Sequence, residues 1–333
     1  MVVFGDINVD IFARVDTFAG LGGDYLVPAL ELHCGGVGAN TALALARWGV
    51  RVRLLGATGR DWFSEFALGH LRRQRVDVSG VRNTSRALTG IMFTVIGREG
   101  ERTFFGSRGA NADFRASFLN PRWRRGMQAL HLVGYDFLSR SAARAARRLL
   151  ADARRRGMKV SLDVGMAPAG EIRRTILQVA RRVDILFVSR GEVTALTGER
   201  DTIRATRTLE GSGAGRVIVK LGDAGCLFQG NGRLRNAPAF PVAAADTTGC
   251  GDAFTGAYLR AWYAGWPAEE AALLANASGA AAAAVLGGGE GMPEPRQVLR
   301  RLSQHRLESG WERVRLSALR RLKKEMSRAG AAR

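Results

Sequence analysis

Asp246-Thr247-Thr248-Gly249-Cys250-Gly251-Asp252 runs directly into Ala253-Phe254-Thr255-Gly256-Ala257-Tyr258-Leu259, and this stretch decides how the rest of the chain is read. Glycines at 249 and 251 let backbone amides come close to an anion. A helix starting there turns its first unpaired N–H groups, and the positive end of its dipole, to the same place. Asp252 stands one position past this cradle, where its carboxylate is expected to stay ionised and to take a proton from an attacking hydroxyl. The chemistry implied is phosphate transfer. Taken alone the stretch is ambiguous, because short glycine-rich turns ending in Asp also serve as plain helix caps.

A second stretch, Gly35-Gly36-Val37-Gly38-Ala39-Asn40, leads into an apolar helical run from Ala42 to Trp48, and Gly5-Asp6-Ile7-Asn8-Val9-Asp10 is placed on the first strand. With the 246–252 stretch, this ordered set resembles the ribokinase family, the PfkB carbohydrate kinases. Members carry a di-glycine motif near the N-terminus and a D-T-x-G-x-G-D motif near the C-terminus. The resemblance spans residues 1 to 295 and implies an α/β fold: a three-layer αβα sandwich on a doubly wound, mainly parallel sheet, with a small β-sheet lid.

Composition is compatible with that fold. A chain of 333 residues with 46% hydrophobic content can bury a large core, and doubly wound enzymes reach this size as one unit. Cys34, Cys226 and Cys250 make an odd count without metal-like spacing, which disfavours a disulfide framework and a zinc site and fits a reducing cytoplasm. The start is an apolar strand without a basic leader, and the Ala-rich run from Ala271 to Leu286 is shorter than the ~20 residues a membrane span needs, so no membrane role is expected.

The formal charge of +20 invites a nucleic-acid reading, but of 50 basic residues only four are lysine, and many arginines lie on Ala/Arg helices such as Ser139 to Arg156. Solvated helix faces account for that pattern. The tail is denser, with twelve Arg/Lys against three acids between Arg296 and Arg333. Leu307, Trp311, Val314, Ala318 and Leu322 recur there at helical spacing, so residues 296–333 read as a basic amphipathic extension that packs on the body or stays solvated.

Short apolar runs at Val2–Phe4, Val52–Leu55, Ala129–Val133, Val160–Asp163, Ile185–Ser189 and Val217–Leu221 alternate with helical patterns, the signature of a parallel sheet covered on both faces. Ile11 to Leu32 and Leu88 to Phe105 break the alternation with strand-like segments and glycine turns, including Gly97-Arg98-Glu99-Gly100. The resemblance makes these the lid.

No G-x-x-x-x-G-K-[ST] occurs, which disfavours a P-loop. The resemblance instead implies an anion hole from the amides of Gly249, Cys250 and Gly251, with Asp252 as base, and an acceptor site of Asn8, Asp10, Gly36 and Asn40. Carboxylates and amides suit vicinal hydroxyls; read alone, Asn8 and Asp10 could equally start a turn. Val37 stands where ribokinases proper carry Lys, which leaves other sugars, sugar acids or nucleosides open. Arg108, where the lid returns to the sheet, could read a polar group of the acceptor or be simply exposed.

For the donor, ATP, the resemblance implies Lys220, Gly222 and Gly225 beside adenosine and Asn276 near adenine. It places Ser189 and Glu192 in the family's N-x-x-E motif, Glu192 serving Mg2+ through water. A monovalent cation such as K+ is implied at Asp246, Thr248 and the loop from Ala283 to Gly288, although Asp246 could instead cap the turn. Cys250, at a helix N-terminus, is expected to have a lowered thiol pKa and to be sensitive to oxidation or alkylation.

The expected activity is ATP-dependent phosphorylation of a primary hydroxyl on a small sugar or sugar acid, with a nucleoside as runner-up and Phe12, Phe104 or Phe105 as the wall for its base. The rival from another class is a silent scaffold or nucleic-acid-associated protein using the basic tail; retention of Asp252 between its glycines argues against it. Lid strands with exposed edges suggest a homodimer.

Overall fold

A computed structural model describes residues 1–18, 20–98, 101–230, 232–285 and 287–331. Glu99 and Gly100 of the expected lid turn, and Leu286 of the expected cation loop, lie outside the described residues. Numbered along the chain, the large sheet contains β1 (Val2–Phe4), β4 (Arg53–Gly59), β5 (Asp77–Thr84), β8 (Ala129–Val133), β9 (Lys159–Asp163), β10 (Ile185–Ser189), β11 (Arg216–Lys220), β12 (Cys226–Gly230) and β13 (Arg233–Ala237). The lid contains β2 (Asn8–Arg14), β3 (Leu30–Gly35), β6 (Gly90–Ile96) and β7 (Arg102–Ser107). The helices are α1 (Val37–Arg47), α2 (Trp62–Arg73), α3 (Arg140–Arg155), α4 (Met166–Glu171), α5 (Arg173–Ala180), α6 (Arg190–Thr197), α7 (Thr202–Gly211), α8 (Cys250–Tyr263), α9 (Ala268–Ala283), α10 (Pro295–Gln304) and α11 (Ser309–Ala331).

Two-residue periodicity puts successive strand side chains on opposite faces. Val3, Phe187 and Ile218 join a core formed with α1, α2, α8 and α9, while Val2, Phe4, Leu186, Val188, Val217 and Val219 join the opposite core under α3, α5, α6 and α7. Three layers result. The sheet order is β13-β12-β11-β10-β9-β8-β1-β4-β5, parallel except at β12 and β13. The winding reverses beside β1, and a doubly wound sheet opens its ligand crevice at such a point, beyond the carboxyl ends of the strands.

The lid order is β3-β2-β6-β7. Asn8 pairs with Gly35 and Asp10 with His33, so both belong to the lid rather than to the first strand, and the lid begins earlier than residue 11. The chain leaves β1 after Phe4 and crosses directly into the second sheet. Asn111 braces this crossover: its Oδ1 accepts from the Ile7 amide at 2.8 Å, and its Nδ2 donates to the Ile7 carbonyl at 3.1 Å and to Asn8 Oδ1 at 2.8 Å.

The basic C-terminal stretch is two helices, not one. Val298, Leu302, Ala318 and Leu322 are buried in the core that contains α8 and α9. Charged groups of both signs tie the stretch to the body: Arg321 pairs with Glu270 at 2.7 Å, and Glu325 pairs with Arg260 of α8 and accepts from Trp266 Nε1 at 2.9 Å. No helix among the described residues is long and apolar enough to cross a membrane.

Candidate active site

Two cavities meet at the 246–252 turn. One, of about 670 Å³, lies between the lid and the strand ends and is bordered by Asp6, Asn8, Asp10, Gly36, Val37, Asn40, Arg108, Thr248, Gly249 and Asp252. The other, of about 640 Å³, is bordered by Lys220, Gly222, Gly225, Thr247, Cys250, Gly251, Asn276 and Ala283. The turn is therefore the wall the cavities share.

Gly249 caps α8 in the left-handed region, at φ 76°, which frees the following amides to point outward. The first bond inside α8 runs from the Ala253 amide to the Gly249 carbonyl at 2.9 Å. The Cys250 amide closes a turn to the Thr247 carbonyl at 3.3 Å, while the amides of Gly249, Gly251 and Asp252 have no intramolecular partner among the described residues. The glycine spacing thus leaves three amides open at the start of α8 among the described residues.

Asp252 is buried and accepts from Asn40 Nδ2 at 2.9 Å. Its expected ionisation needs correction. Burial first, then the charge of Asp163, push its pKa up to about 7 against the Asn40 hydrogen bond and Lys220. Burial likewise takes Asp10 to about 7. Cys250 is also corrected: burial and the neighbouring Asp246 and Asp252 push its thiol up to about 12, so the helix terminus does not make it a reactive thiolate.

On the acceptor side, Gly36 caps α1 at φ 93°, and a Cβ there would sit 2.6 Å from the Asp6 carbonyl. Arg108 is not free: Nη2 and Nε reach the two carboxylate oxygens of Asp6 at 2.8 and 3.3 Å. Of the three phenylalanines considered for an aromatic wall, Phe104 borders the cavity, Phe12 is buried against His33, and Phe105 is exposed.

Lys220 reaches further than the strand-turn reading suggested. Its Nζ donates to both oxygens of Asp163, at 2.9 and 2.8 Å, and lies 3.3 Å from where a Cβ on Gly251 would be, beneath the cradle. Burial opposes its charge, but Asp163 and Glu192 outweigh that and raise its pKa. Thr255 donates to Asp163 at 2.8 Å and completes the cluster. Asn276 spends its amide on the carbonyls of Ala237 and Pro238, at 3.1 and 2.9 Å, bracing the cavity wall.

Ser189 and Glu192 form the capping box of α6, Ser189 Oγ accepting from the Glu192 amide and Glu192 Oε2 from the Ser189 amide. The Ser189 hydroxyl, expected to serve the nucleotide, is thus a helix cap. Glu192 keeps its second oxygen, and burial raises its pKa against the opposing charge of Lys220.

Of the expected monovalent-cation ligands among the described residues, Asp246 and the Ala283 carbonyl are taken by donors, whereas the Thr248 and Gly288 carbonyls accept no hydrogen bond. Asp246 Oδ1 accepts from Arg102 Nη1 at 2.6 Å and from the Thr248 amide at 2.7 Å, and Oδ2 from the Gly287 amide at 2.9 Å. Burial would raise its pKa, but these donors hold it below the ordinary carboxylate value. The Ala283 carbonyl accepts from the amides of Ala245 and Asp246 at 2.8 and 3.2 Å. Among the described residues, no group of three or more His, Cys, Asp or Glu side chains could hold a metal ion.

With this geometry in place, relatives can be compared. The description "pfkB family carbohydrate kinase" matches residues 1–295. The chain belongs to this family. The kinase is 31% identical to Fructokinase-1 of Oryza sativa subsp. japonica over 90% of this chain and 96% of that protein. It is 31% identical to 2-dehydro-3-deoxygluconokinase of Thermoproteus tenax over 82% of this chain and 86% of that protein. Among solved structures it superposes on an E. coli protein described as a ribokinase II, in complex with ATP and Mg2+, at a TM-score of 0.81 and 25% identity, covering 91% of this chain and 99% of that one. It is a sugar kinase with a ribokinase-like fold.

Asp163, Arg102, Asp6 and Asn111 of the kinase were not singled out by sequence reasoning. Asp163 ends a strand at the crevice, a positional signal that could have found it. Arg102 carried none, since its partner lies 144 residues away.

Proposed function

We propose that the kinase transfers the γ-phosphoryl group of ATP to a primary hydroxyl of a small, neutral, polyhydroxylated sugar. The observation that carries the reading is Asp252, buried on the wall shared by two cavities, with unpaired amides beside it. The acceptor oxygen bonds to the γ-phosphorus as its proton passes to the Asp252 carboxylate. The bond from that phosphorus to the bridging oxygen breaks, and its electron pair leaves with ADP. The open amides of Gly249 and Gly251, with Lys220 beneath, meet the negative charge of the transferring group, while the Cys250 amide expected beside them is turned to the Thr247 carbonyl. Mg2+, when bound, supplies further charge neutralisation on the donor phosphates, and Glu192 would hold it through water.

Neutrality of the acceptor is supported by charge. Asp6, Asp10, Glu171 and Asp252 border the acceptor cavity against one arginine, Arg108, already paired with Asp6. That arginine is committed to Asp6, so a sugar acid would find no free guanidinium there to meet its carboxylate. Asn8, Asp10, Gly36 and Asn40 are the groups that would bind its hydroxyls. Three free cysteines support a cytoplasmic location. Residues 1–295 are read as the catalytic body and 296–333 as a helical extension covering one face. The exposed edge strand β7 supports a dimer through the lid, which sedimentation at micromolar concentration would remove by showing monomer only.

The test is ADP formation from ATP and Mg2+ across ketohexoses, pentoses, sugar acids and nucleosides. Turnover with neutral sugars above their acid counterparts is expected. Turnover confined to acids would move the assignment to a sugar-acid kinase, and turnover confined to nucleosides would give Phe104 the role of base wall.

A further inference from the structure

We propose that Arg102 is a tethered cation: its guanidinium stands where a monovalent cation would meet Asp246 and makes phosphoryl transfer independent of potassium. The inference rests on the reading of the 249–252 turn as the phosphoryl site. The Asp246 side chain is 1% exposed, and the hydrogen bonds its carboxylate accepts among the described residues come from three N–H donors. Each aims a hydrogen at the carboxylate, whereas a metal ion needs lone pairs around it. The Ala283 carbonyl, which could have offered one, faces the amides of Ala245 and Asp246 instead.

A buried carboxylate so near the cradle would oppose a phosphoryl group unless a positive charge stood against it. Arg102 supplies that charge permanently, because a guanidinium does not lose its proton in proteins. Its Nη1 also reaches Thr248 Oγ1 at 3.3 Å, tying it to the segment that leads into the cradle. Arg102 is the first residue of β7, so the charge arrives from the lid. It touches neither substrate in this arrangement and is a positioning residue.

The experiment measures ADP formation, at constant ionic strength, in potassium, sodium or tetramethylammonium chloride, together with binding of Tl+ as a potassium mimic by thallium NMR. The wild-type kinase is expected to turn over within about twofold in all three salts and to bind no Tl+ at this site. Arg102→Ala should lose on the order of 10²-fold in tetramethylammonium, the size of a lost charge-stabilising group. It should recover about tenfold or more with potassium, and bind Tl+. Arg102→Lys should stay active without potassium. Saturable potassium activation of the wild type would overturn the proposal. So would an Arg102→Ala protein that is fully active in tetramethylammonium, or one that is folded and inactive yet indifferent to potassium. Ion binding is read without turnover, so a wild type that phosphorylates no sugar would count against the kinase reading and leave Arg102 to be judged on Tl+ alone.

Discussion

The acceptor cavity carries Asp6, Asp10, Glu171, Asp252 and two asparagines, whereas the donor cavity presents Lys220 and Asp223 among backbone and small or apolar side chains such as Ala244, Val242, Phe240 and Gly279. Under the proposed reaction the acceptor would be recognised by side-chain chemistry and the donor mostly by shape. A polyol needs many directed hydrogen bonds, each of which a single substitution can remove. A nucleotide needs a slot of the right width, which depends on where the backbone passes. Substitutions on the two sides should therefore fail in different ways.

The largest expected effect is at the shared wall. Asp252→Asn should lower kcat by about 10²- to 10⁴-fold, the usual contribution of a general base. It should leave the thermal midpoint at pH 8 unchanged or higher. Asp252 and Asp10 rise from 3.8 to about 7 on folding. Their contribution to stability is therefore fully present below pH 3.8 and is lost as pH rises through 7. The amide carries no such cost. A midpoint several degrees lower at pH 8 would show that the carboxylate is structural.

Next comes the donor side. A Cβ on Gly225 would lie 1.9 Å from the Ala237 carbonyl, at φ 85°. Gly225→Ala must shift the turn that borders the donor cavity, so the KM for ATP should rise roughly tenfold if about 1.4 kcal/mol of binding is lost with the shape. The KM for the sugar should stay as it was. Equal changes in both would erase the distinction between the cavities.

The smallest effect is the most diagnostic. For the wild type, kcat/KM should rise with pH through about 7 as the Asp252 carboxylate ionises. Asn40 donates to that carboxylate and lowers its pKa, so Asn40→Ala should move the limb to higher pH, in addition to the lower plateau that follows from losing a sugar contact. A limb that does not move would mean that Asn40 only binds sugar.

Much of the fold was legible because its signals are local. The six short apolar runs became β1, β4, β8, β9, β10 and β11 within one residue at their ends, except that β4 continues four residues past Leu55 to Gly59. β5, beginning Asp-Val-Ser-Gly, and the exposed β13 were missed, since neither is apolar enough to stand out. The turn at 249–252 was legible for the same reason: glycine spacing and an acid beside it lie within four residues.

The charge states were not legible. A carboxylate at a helix start reads as ionised, until burial beside Asp163, 89 positions away, raises Asp252. A thiol there reads as activated, until Asp246 and Asp252 enclose Cys250. Arg102 reads as one arginine among many, until strand pairing in the lid delivers it to Asp246. By itself the sequence determined the doubly wound sheet, the glycine turn ahead of α8 and the family, because periodicity and glycine spacing act over a few residues. Only the tertiary structure decided which carboxyl groups hold protons, which cation serves Asp246 and where Lys220 points, because desolvation and Coulomb forces depend on distance in space rather than along the chain.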